Sequence, residues 1–104
     1  MLISTTENIA GKTIKETLGI VKGNTVRSRH IGSDIVASLK QIIGGELKGY
    51  TQMVNSARDE AVKRMVEEAE KMKADAVVMV RFAASEVMQG SSEILAYGTA
   101  VRLK

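Results

Sequence analysis

The sequence predicts an α+β fold: an antiparallel β-sheet with a short helix and one long helix packed on one face, and strands at both ends of the chain. Three observations carry this. Residues Tyr50 to Lys73 contain no Gly or Pro, and Met53, Val54, Ala57, Ala61, Val62, Met65, Val66, Ala69 and Met72 recur at helical spacings of three and four. Beyond Lys73 the pattern turns extended, with Val77-Val78-Met79-Val80 and then clean alternation from Ile94 to Leu103. Ahead of the helix, Leu2 to Thr6 and Thr13 to Arg29 are β-prone runs punctuated by Gly11 and Gly23.

In chain order, Leu2 to Thr6 opens the sheet and Glu7 to Lys12 is a turn. From Thr13 onward Ile14, Leu18 and Ile20 share one face. Gly23-Asn24 then marks either a hairpin or a bulge in one long strand, and the two remain open. Ser33 has the chemistry of an N-cap, with Asp34 favoured in the first turn by the backbone dipole. Ile35, Val36, Leu39, Ile42 and Ile43 form the stripe of that short helix, and Gly44-Gly45 stops it. The long helix would reach roughly 36 Å, against about 30 Å for the diameter of a compact domain of this length. After it, Ala76 to Val87 reads as a central strand buried on both sides, and Gln89 to Ser92 as a turn. In the last strand Ala96, Gly98 and Ala100 make a small-residue face, opposite Leu95, Tyr97, Thr99, Val101 and Leu103. The helix, with Ala57, Ala61 and Ala69, is expected to sit on the small face.

Composition bounds the function. A chain of 104 residues, 44% hydrophobic but only 3% aromatic, makes a single domain over residues 1–104 with an aliphatic, Met-filled core. The absence of Cys excludes disulfides and thiolate metal sites. No apolar run approaches the ~18 residues of a membrane span, and the first residues lack the pattern of a signal peptide, so a soluble cytoplasmic protein is expected. The net charge of +3 comes from interspersed residues. The densest basic cluster, Lys22 with Arg27-Ser28-Arg29-His30, lacks the stacking aromatics of nucleic-acid readers, and no nucleic-acid partner is expected.

No catalytic set can be assembled from one His and no Cys, and neither a P-loop nor a dinucleotide glycine pattern is present. The expectation is a non-enzymatic protein without a cofactor. At 100° per residue the apolar stripe of the long helix covers roughly 220°, more than one sheet contact requires. That excess predicts a second contact surface and a homo-oligomer. Arg58 and Glu68 fall inside the arc among Val62 and Val66, so these four are expected to be structural or interface residues, the charges held by partners. A second reading is a metal site using His30 with carboxylates such as Asp34, Glu67 or Asp75. The Met residues on the helix stripe are read as core filler.

Several short pieces then point one way: Ser4-Thr5-Thr6, Ile31-x-x-Asp34-x-x-Ala37, Gly44-Gly45 followed by Tyr50, Ala57-Arg58, Ala74-Asp75-Ala76-Val77-Val78 and Gly98-Thr99-Ala100-Val101. Together they resemble the YbjQ-like family of small uncharacterised proteins, sometimes given a heavy-metal-binding label. The resemblance implies a dodecin-like α+β subunit, a ring-shaped homo-oligomer of five copies and no established reaction; the reading drawn from it is a module holding a small ligand or partner at subunit interfaces. The family commonly has Gly where this chain has Lys73 and Met79. The metal label meets a chemical objection, because soft metals prefer thiolate and imidazole ligands and this chain offers one His.

Overall fold

The long helix, α1, spans Lys48–Lys71 in the computed structural model, which describes residues 1–28, 42–43 and 46–104. Around it lie β1 (Leu2–Ile3), β2 (Ile14–Ser28), β3 (Ile42–Ile43), β4 (Glu46–Leu47), β5 (Ala76–Met88) and β6 (Ser91–Leu103). The main sheet has the order β1-β5-β6-β2, and among the described residues β3 and β4 form a separate two-stranded sheet. This sheet is mixed rather than antiparallel, because β1 runs parallel to β5, Leu2 beside Ala76 and Ile3 beside Val77. A two-residue strand carries no period that would show its direction, and the long chain between β1 and β5 permits the crossover that parallel pairing needs.

The short helix expected from Ser33 lies outside the described residues, apart from its last two positions. Ile42 and Ile43, expected on its stripe, are instead extended and face Leu47 and Glu46. Consecutive β-branched residues suit a strand as well as a helix stripe, so periodicity could not separate the two. Among the described residues α1 is the one helix.

Gly23-Asn24 is neither a hairpin nor a bulge. β2 runs straight through it, and its irregularities lie earlier, between Ile14 and Glu16 and between Thr17 and Gly19. The second of these breaks the expected face: Leu18 packs on the helix-side core while Ile20 points away from it and is 80% exposed. What requires glycine at 23 is the helix. A Cβ there would lie 2.3 Å from both the Ala61 carbonyl oxygen and the Met65 amide nitrogen.

Ala57, Ala61, Met65 and Ala69 are the fully buried positions of α1, each four residues after the last. Four steps of 100° overshoot a full turn by about 40°, so the contact line drifts about 120° around the helix from Ala57 to Ala69. Such an i, i+4 ridge crosses a twisted sheet obliquely. The broad apolar arc is therefore largely one drifting line rather than two faces present at the same height. Val62 and Val66, on the adjacent ridge, are half-buried against the same core.

β5 and β6 pair antiparallel, and of the expected turn from Gln89 to Ser92 only Gln89-Gly90 turns, Gly90 at φ 80°, while Ser91 already belongs to β6. Ala96 and Ala100 meet the helix side with Val21, Val77 and Val80, whereas Val101 lies on the other face with Ala76 and Val78 under Ile9, Ile14 and Leu103. The small face of β6 is thus where the sequence placed it. Gly98 serves a different contact: a Cβ there would come within 2.7 Å of Val77 Cγ1 and 2.9 Å of the Val78 carbonyl, on β5. Burial on both sides holds for β5 only at its start, since residues 81–88 are exposed.

Two positions hold a left-handed backbone on a bulky residue, Lys73 at φ 60° and Met79 at φ 55°. Lys73 ends α1 in a Schellman motif, with Ala74 N–H bonded to Ala69 O at 3.1 Å and Lys73 N–H to Glu70 O at 2.9 Å. Met79 sits in the irregularity between Val78 and Arg81, where its N–H bonds to Thr6 O at 3.1 Å. Ser4 brackets the same kink, donating to Val77 O and accepting from Val80 N–H, both at 2.9 Å, and Arg81 Nη1 holds Thr5 O at 2.8 Å. The Ser4-Thr5-Thr6 piece is therefore a backbone clamp on β5.

Three stability outcomes follow for chemical denaturation. Gly23→Ala should cost about 1–3 kcal/mol or prevent folding, because the Cβ meets backbone that cannot rotate away. Ala100→Leu should be destabilising on the same scale and Thr99→Val, on the opposite face, within about 0.5 kcal/mol of wild type. Lys73→Gly should stabilise by roughly 1 kcal/mol, as an L side chain leaves the left-handed region. A neutral Gly23→Ala would contradict the helix seat, and a destabilising Lys73→Gly the cap.

Candidate functional site

The main concavity follows from how α1 lies on the edge strand. The helix crosses β2 and β6, so its flank of Glu60, Arg64 and Glu68 overhangs the outer edge of β2. Between them opens a cleft of about 670 Å³. The cleft wraps around the β2 edge: Met72 lines it from the helix side and Ile20 and Leu95 from the far face of the sheet, with Lys22, Asn24, Arg64, Glu67, Glu68 and Glu93 as its polar wall.

One network joins three elements across this cleft. Arg64 Nη1 donates to the Asn24 carbonyl oxygen at 2.6 Å while its Nε pairs with Glu60 Oε1 at 3.2 Å. Asn24 Nδ2 donates to Glu93 Oε2 at 3.0 Å on β6. Arg64 thus takes Glu60, one turn before it, rather than Glu68, one turn after. Glu68 pairs with Lys71 at 3.0 Å, an exposed i, i+3 contact worth a few tenths of a kcal/mol. With cations and carboxylates interleaved, the cleft suits a partner offering both hydrogen-bonding groups and apolar surface, rather than a phosphate-rich one.

The four residues singled out in the sequence do not form one site. Val62 and Val66 are half-buried against the core. Glu68 is exposed in the cleft, and Arg58 is exposed beside Thr51, Val54 and Asn55 at a separate depression of about 250 Å³. The drift of the contact line accounts for this. Arg58 lies level with Ala57 and Ala61 but about 60–100° around the helix from them, and Glu68 lies about 100° from Ala69 on the other side. Projecting the whole helix onto one wheel merges heights and places both inside an arc that neither joins locally. Within one chain neither charge is buried.

Of the proposed metal donors, His30 and Asp34 lie outside the described residues. Glu67 lines the cleft, while Asp75 Oδ2 accepts the Leu103 N–H at 2.9 Å. Among the described residues no three His, Cys, Asp or Glu side chains gather as a metal site would require. Sequence reasoning missed Asn24 and Glu93. Asn24 figured in the sequence only as part of a turn or bulge signal, and a cross-sheet pair has no local spacing to reveal it.

Comparison with known proteins agrees with the fold. A family model described as "Putative heavy-metal-binding" (YbjQ) matches residues 1–104. A "UPF0145 protein" of Thermosipho africanus is 59% identical over 104 residues, covering 100% of this chain and 96% of its own. One from Halorubrum lacusprofundi is 57% identical with 100% of both chains covered. A crystal structure from Pediococcus pentosaceus, described as a protein of unknown function in the DUF74 family, superposes with a TM-score of 0.68 at 18% identity, covering 100% of this chain and 98% of that one. The last shows the fold alone. With matches of this extent, the chain belongs to the YbjQ family, the UPF0145 proteins being its relatives along the whole length.

Proposed function

We propose that the chain is a non-enzymatic module of a homo-oligomeric ring, five-membered as its family resemblance implies, working in the cytoplasm and holding a small ligand or partner at its subunit junctions. The observation that carries this reading is an apolar surface left open on the sheet face away from α1. Ile20 is 80% exposed, Val26 50% and Tyr97 39%. With half-buried Leu95 they run diagonally across β2 and β6, where Ile20 faces Thr99 and Val26 faces Glu93. Contiguous apolar surface of this kind on a small domain marks an interface. On the helix, the ridge Arg58, Val62 and Val66 offers a second strip for a neighbour, and Glu68 lies in the cleft at the opposite flank. The structural role read for these residues is thereby assigned to the assembly.

A metal function is the alternative that the family description favours. The described donors do not fit it: no thiolate exists, Asp75 is engaged by Leu103, and no cluster of three forms among the described residues. Titration of the purified protein with Zn²⁺, Ni²⁺ and Cu⁺ should give binding weaker than micromolar. Tighter binding lost in His30→Ala would replace the ligand-module reading with the metal one. For the ring itself, light scattering on a size-exclusion column should return a mass several times 11.2 kDa. A clean 11.2 kDa species at micromolar concentration would refute it.

A further inference from the structure

Among the described residues the main sheet ends in two long open edges, and their differences fit one another. β2 is an edge strand of 15 residues. Because the Asn24 carbonyl reaches outward to Arg64, the two-residue period of the ladder also turns the backbone groups of Lys22 and Val26 outward. On the far side, β1 and the Ser4–Thr6 segment cover β5 only as far as Val80. Val80 N–H points outward to Ser4 O, and the paired register Ala83–Leu95 against Asn24–Leu95 turns Phe82 and Ala84 outward beyond it. Phe82, at 50%, and Met88, at 66%, are exposed along that free half.

Open strands of this length pair with whatever strand they meet, unless something blunts them. No Pro occurs in the chain to do so. Their charges differ in sign: β2 carries Lys15, Lys22 and Arg27 against Glu16, and the segment 82–88 carries Glu86 and no cation. Pairing β2 with another β2 would set basic residues against basic ones. Pairing β2 with β5 instead lays the acidic segment with Glu86 along the basic edge, within reach of Arg27.

We propose that the outer edge of β2 in one copy receives the free half of β5 from the next copy, so that the sheet continues from subunit to subunit. This rests on the oligomeric reading above and names its interface. The contact is heterologous, head to tail, the type that generates closed rings. The incoming strand occupies the side of the cleft along Ile20 to Asn24 and takes over at the Asn24 carbonyl the position of the Arg64 guanidinium.

The test uses proline and cysteine. Lys22→Pro and Ala84→Pro each remove only an outward N–H, which bonds nothing within its own sheet, and so leave the subunit's ladder intact. Each should yield an 11.2 kDa species by light scattering with the wild-type far-UV circular dichroism. As an independent measure, Val26→Cys is combined in one chain with Ala83→Cys, Ser85→Cys or Val87→Cys, one pair for each of three registers. Val26 and Ser85 both flank Glu93, so within a chain they stand two strands, about 9.5 Å, apart, beyond the reach of a disulfide. Oxidation of one of these pairs should therefore produce a ladder of covalent multimers on a non-reducing gel. An oligomeric wild type with no ladder from any pair, or with folded proline variants that keep the full mass, overturns the edge pairing and leaves the ring standing. A monomeric wild type overturns both. If the proline variants fail to fold, the cysteine pairs decide alone.

Discussion

The arrangement depends on one contact in which no side chain intervenes. The backbone of α1 at Ala61 to Met65 rests directly on the backbone of β2 at Gly23. Everything near it is small or thin for that reason: Ala57, Ala61 and Ala69 on the helix, Ala96 and Ala100 on β6. Met65 fills what remains, its side chain fully buried. A helix held this close cannot roll or slide without meeting a Cβ. Its flanks are thereby fixed relative to the sheet edge, and that fixes the cleft between Arg64 and Asn24.

A second constraint is the pair of left-handed residues at the two ends of one connection. Lys73 closes the helix and Met79 kinks β5 six residues later. Between them Asp75 ties the start of β5 to the end of β6, its carboxylate on the Leu103 amide. The kink also receives the N-terminal clamp, so β1, β5 and β6 are locked together at one end of the sheet. The opposite end of β5 has no such clamp among the described residues, and residues 81–88 are exposed. One end of the subunit is self-sufficient, while the other presents open edges and apolar side chains.

Much of this was legible in the sequence where a period runs long enough. The 24-residue helix, the alternation of β6 and the small face of Ala96 to Ala100 all lie where the pattern puts them. Substitution of family glycines at Lys73 and Met79 pointed to two special positions, and both have positive φ. Three readings went astray for identifiable reasons. Gly23 suggested a turn or a bulge because a glycine forced by a helix about 40 residues away looks locally like one forced by its own φ. Ile20 was assigned with Leu18 because a one-residue irregularity reverses every later side chain. Arg58 and Glu68 were merged into one face because a helical wheel discards height. The Asn24–Glu93–Arg64 network joins residues from three separate elements, and no spacing rule reaches across them.

On the proposed assembly, a second copy covers the open edges of β2 and β5. Hydrogen exchange at single-amide resolution on the native protein reads this directly, since the N–H groups of Lys22, Val26, Phe82 and Ala84 have no ladder partner among the subunit's described residues. In the assembled protein they should exchange as slowly as the paired amides of β6, and dilution into the monomer range should release them together. Fast exchange of all four at concentrations where the protein is assembled would show that the edges face solvent and that the copies meet elsewhere.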